Sequence, residues 1–158
     1  MRDIPESEST ICRRLRPILS ALPLQAAIDS TDAFREALSS LEWFLPDVLQ
    51  ETHPEWRNES LDGICPSIAR KTGDNEIEII GVCILISDQT MTPLHVRLQL
   101  DPVEDAVSWL ECRLGKSTPE GMLRVPYTHE FEMKGLHVLN RLDSVDWAYH
   151  VGFGERRN

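Results

Sequence analysis

The 158-residue chain carries 41% hydrophobic and 27% charged residues, enough apolar side chain for one core without disulfide or metal staples and too much for a disordered segment. Its 26 acidic residues outnumber 16 basic ones, for a net charge of −10 spread along the length, which argues against a nucleic-acid binder and favours basic protein partners. No apolar run reaches the ~18 residues of a membrane span and no signal-peptide stretch follows Met1, so a cytoplasmic single domain over residues 1–158 is expected.

Residues 7–52 read as helical. Ile11, Leu15, Ile18, Leu19 and Leu22 recur at three- and four-residue spacing, with Pro17 expected to end or kink that helix. Behind the start signal Ser30-Thr31-Asp32, the residues Phe34, Ala37, Leu38, Leu41, Phe44, Leu45, Val48 and Leu49 form a longer stripe, bent near Pro46, with Glu36, Glu42 and Asp47 facing water.

Residues 64–153 read as sheet. Ser67 to Lys71, a turn at Thr72 to Asn75, and Glu76 to Ile86 predict a β-hairpin whose second strand is apolar on both faces from Ile80 to Ile86. Such a strand needs two covers, one from the helices and one from a further layer or a second copy of the chain, which is the argument for a homodimer. After a turn over residues 87–93, Leu94, Val96, Leu98 and Leu100 alternate with His95, Arg97 and Gln99, the pattern of a half-buried strand with His95 at the surface.

Asp101-Pro102-Val103-Glu104 has the composition of a capping box, and the stripe Val103, Ala106, Val107, Leu110 and Leu114 before Gly115 predicts a helix over 102–114. Residues 116–126 read as a loop, Tyr127 to Lys134 as a strand, and Val145 to Phe153 as a last strand presenting Trp147, Tyr149, Val151 and Phe153 on one face. The expected architecture is α+β, with N-terminal helices on an antiparallel sheet of about five strands and one helix inserted between strands.

Candidate chemistry is sparse. Cys12, Cys65, Cys83 and Cys112 are widely separated, without C-x-x-C spacing, and are expected to be free structural thiols. His129, Glu130, Glu132, His137, Asp146 and His150 crowd one region, but His129 and His137 lack the H-E-x-x-H spacing of a helical zinc site. No G-x-S-x-G elbow occurs, and Gly152-Phe153-Gly154 closes a strand instead of opening a helix on a phosphate. The clusters Arg13-Arg14-Leu15-Arg16 and Arg156-Arg157 read as solvated surface. No catalytic residue, metal ligand or cofactor is therefore assigned.

The predicted order of a helix, three strands, a helix and paired strands from about residue 31 onward is similar to that of type III secretion chaperones, without their final helix. The resemblance implies a dimeric binder of partner segments and transfers no residue role. The function expected is a non-catalytic interaction protein, chaperone-like or immunity-like, meeting a basic partner through Trp109, Trp147 and Tyr149. The alternative is a small enzyme or ligand-binding domain with a pocket lined by Tyr127, His129 and His137.

Overall fold

The computed structural model of the chain describes residues 3–28, 31–56, 60–86, 91–115 and 147–154. Helices α1 (Glu6–Ser20) and α2 (Asp32–Thr52) come first, followed by a short 3-10 turn at Pro54–Trp56. Strands β1 (Leu61–Gly73), β2 (Glu76–Leu85), β3 (Met91–Leu100), β4 (Val107–Gly115) and β5 (Trp147–Gly154) then form an antiparallel sheet in sequence order. The α+β class expected from the sequence is the one observed. None of the described helices is long and apolar enough to cross a membrane.

Thr31 starts α2, its hydroxyl accepting the Phe34 N–H at 3.2 Å. The helix continues through Pro46 to Thr52. At about 1.5 Å per residue it has the length to reach β1 and β5, both of which it touches. Pro17 falls in the last turn of α1, so the break it imposes coincides with the end of the helix at Ser20. The stripe of α2 and Ile11, Leu15 and Leu19 of α1 are buried in one core with the inner sheet face, which carries Ile77, Ile79, Cys83, Leu94, Val96, Leu98, Leu110, Cys112, Leu114 and Val151, while Ile18 and Leu22, the latter past the end of α1, are partly buried against it.

The helix expected over 102–114 is not there. Residues 101–106 form a turn and Val107–Gly115 is strand β4, hydrogen-bonded between β3 and β5. The capping chemistry is nevertheless present, since Asp101 Oδ1 accepts the N–H groups of Val103 at 2.8 Å and Glu104 at 2.9 Å. What overrides it is the strand alternation that follows, Leu110, Cys112 and Leu114 inward against Trp109, Glu111 and Arg113 outward, which completes β3. Among the described residues the order is two helices and then strands, without the helix between strands on which the resemblance to secretion chaperones rested.

β2 is covered on both faces, as its composition demands. Ile80 and Val82, on the side away from the helices, are 2% and 1% exposed within a single chain.

Three charged side chains hold the layers together from within. Glu8 of α1, fully buried, accepts the Val107 N–H at 2.8 Å. Two turns further on, Arg16 donates to Asp105 Oδ1 at 2.7 Å and to the carbonyls of Asp101 and Glu104 at 2.6 and 2.8 Å. Arg16 is thus a clamp on the β3–β4 turn and not the solvated side chain its basic neighbours suggested. Lys71 of β1 donates to the carbonyls of Leu19 and Leu22, both at 2.9 Å, setting a cation at the C-terminal end of α1.

β1 lies at the edge of the sheet, and several of its outward backbone groups are met by α2 and by residues 25–28. Glu42 of α2 accepts the Ile64 N–H at 2.9 Å. Pro66 has no N–H to offer. The segment 25–28 pairs with residues 69–71 through Gln25 N to Lys71 O, Lys71 N to Ala26 O and Ile28 N to Ala69 O, at 2.7, 3.0 and 2.8 Å.

Candidate functional site

The outer sheet face, opposite the helices, carries a row of alternating charge set by the strand register: Arg70 on β1 opposite Glu78 on β2, Glu78 opposite Arg97 on β3, Arg97 opposite Glu111 on β4. Glu78 is the hub. Arg70 Nη2 reaches its Oε1 at 2.7 Å, and His95 Nε2 meets its Oε2 at 3.2 Å. The hydrogen bond from His95, opposed by burial and aided by Arg70, lowers the Glu78 carboxyl to about 2. His95, expected at the surface, is therefore a half-buried member of an ion-pair cluster. Arg97 Nη2 also donates to Glu76 Oε1 at 3.1 Å.

Two of the three aromatic residues proposed from sequence lie against arginines from neighbouring strands. Arg97 lies over the Trp109 ring at 5.8 Å from its centroid, and Arg113 over Trp147 at 4.9 Å. Trp109 pairs with Gly154 and Trp147 with Gly115, so the two indoles sit at opposite ends of the β4–β5 ladder. Tyr149 is turned elsewhere, edge-on to Trp56 at 5.1 Å and to His53 at 5.4 Å beneath the end of α2. These three residues are not brought into one patch. Tyr127, His129 and His137, like Glu130, the predicted strand Tyr127 to Lys134 and the pair Arg156-Arg157, lie outside the described residues.

Burial raises all four thiols, Cys12 and Cys112 to about 12, Cys83 well above its ordinary value and Cys65 upward with the Glu42 carboxylate adding to the effect. All four cysteines are free and held as neutral thiols, the opposite of what a nucleophile requires. Among the described residues no cluster of His, Cys, Asp and Glu is arranged to hold a metal ion.

The surface feature that sequence reasoning passed over is Trp43. It is 74% exposed on the outer face of α2, opposite the buried stripe. Helical spacing puts Asp47 one turn and Glu51 two turns beyond it on the same side, both exposed. Glu36, on the preceding turns, is taken by Arg14 at 2.7 Å. The signal was legible as a mismatch, a large aromatic residue standing in the polar arc of an amphipathic helix. No family model, curated protein or solved structure matches the chain.

Proposed function

We propose that this chain is a non-catalytic protein-interaction protein with an acidic contact surface. The observation that carries the reading is the exposure of Trp43 amid carboxylates on α2, because an indole left in water on a rigid helix is a common anchor of protein contacts. The chemistry around it is consistent. The buried or half-buried groups that resemble catalytic residues, Glu8, Lys71, Glu78 and His95, are spent on bonds that hold helices and strands in place.

Self-association is a separate question within this reading. It bears on the second face of β2, where Ile80 and Val82 are buried while Ile86, past the strand's end, is an exposed apolar side chain. Light scattering of the purified chain reads it directly.

The functional reading is tested by placing a photo-crosslinking amino acid at position 43 and irradiating living cells. A discrete adduct formed from position 43, and absent when the crosslinker stands at the exposed position Arg13, supports it. No adduct above that control removes it.

A further inference from the structure

We propose that the outer face of α2 docks a basic helical segment of another protein, with an arginine of that segment lying over the Trp43 indole and paired with Asp47. The inference rests on the interaction-protein reading and names the chemistry of the partner.

The chain itself contains the pattern for this contact. On the outer sheet face Arg97 lies over Trp109 at 5.8 Å while its Nη2 is tied to Glu76 Oε1 at 3.1 Å, so indole, guanidinium and carboxylate form a set of three. Trp147 is covered in the same way by Arg113 at 4.9 Å. Trp43 and Asp47 supply the indole and the carboxylate of such a set, and among the described residues no cation lies over that ring. A guanidinium is the fitting third member, since it stacks on an aromatic face and still offers N–H groups to a carboxylate at the side.

Charge decides between occupants. A symmetric contact between two copies through this face would set Trp43, Asp47 and Glu51 against the same three residues on chains of net charge −10. A basic segment reverses that repulsion. With carboxylates at the fourth and eighth positions after Trp43, a partner helix lying along α2 matches them best with arginines at every fourth residue.

The probe is an acetylated, amidated alanine-rich helical peptide with arginine at every fourth position, titrated into the isotope-labelled full chain. The four tryptophans give four indole N–H signals, and Trp43→Phe identifies the one of interest. The expected result is a shift of the Trp43 indole and of the α2 amides around it, with the Trp109 and Trp147 signals still. Binding should weaken about tenfold in Trp43→Ala and in Asp47→Lys, and a peptide with glutamine for arginine should leave the spectrum unchanged.

Equal binding by Trp43→Ala, or shifts spread to Trp109 and Trp147, overturns the proposal. So does a dimer in light scattering that Trp43→Ala abolishes, because the occupant is then a second copy. A silent peptide together with a discrete crosslink from position 43 overturns the basic partner and leaves the interaction reading standing. Silence in both experiments removes both.

Discussion

Arg16 Nη1 donates to Asp105 Oδ1 at 2.7 Å across 89 residues of chain, and its other terminal nitrogen holds two carbonyls of the same turn. The fork geometry of a guanidinium is what lets one side chain grip a carboxylate and two carbonyls at once. Arg16→Ala is expected to destabilise the fold by about 2 kcal/mol in denaturant unfolding. Arg16→Lys should recover less than half of that loss, because one ammonium does not reproduce the fork, and full recovery by lysine would refute the clamp.

The Glu78 cluster predicts a window of acid sensitivity. A carboxyl lowered from 4.5 to about 2 contributes stability that is complete above pH ~4.5 and is lost as the pH falls toward 2. The amount is on the order of 3 kcal/mol. Unfolding measured at several pH values should show that slope in the unmodified chain and a flatter one in Glu78→Gln. An unchanged slope would mean that another acid is responsible.

Glu42 titrates in the opposite sense. Burial and the neighbouring Asp62 raise its carboxyl, while the Ile64 N–H bond opposes them. The native state thus favours the protonated form, and this group adds stability as the pH falls through its raised value. Glu42→Gln keeps an oxygen for the Ile64 N–H without the charge and is expected to be at least as stable as the parent at pH 7. Glu42→Ala removes the acceptor and should cost about 1 kcal/mol. Thermal melts of the two variants side by side check this.

The thiols supply a prediction read by mass. Cys12, Cys83 and Cys112 are buried, and Cys65 is partly accessible with a raised thiol. Alkylation of the native protein near neutral pH should therefore add at most one group, slowly, at Cys65, and four groups once the chain is unfolded. Rapid native labelling of Cys12 would contradict the packing of α1.

Much of this architecture was legible, and the exceptions have physical causes. The stripe of α2 and the alternation of β3 are long, single-period patterns, and both appear where the sequence put them. Residues 103–114 fit two periods at once. Val107, Leu110 and Leu114 suit a helix, while Leu110, Cys112 and Leu114 suit a strand, and the capping signal at Asp101 to Glu104 favours the helix. Val103, placed first in the helical stripe, is in fact 82% exposed. β1 begins at Leu61, ahead of the predicted start at Ser67, because an edge strand tolerates Gly63 and Pro66. Nothing local could announce that Arg16 would find Asp105, or Glu8 the Val107 amide, since those bonds exist only once α1 lies against the turn.

The bonded edge of β1 governs how the protein meets its own copies at high concentration. With the Ile64 and Lys71 N–H groups and the Ala69 and Lys71 carbonyls already engaged and a proline between them, this strand is a poor template for a second chain to copy. Ribbon-like polymerisation from that side is discouraged at the backbone, so the exposed Trp43 indole is not joined on this edge by a bare strand for another chain to extend.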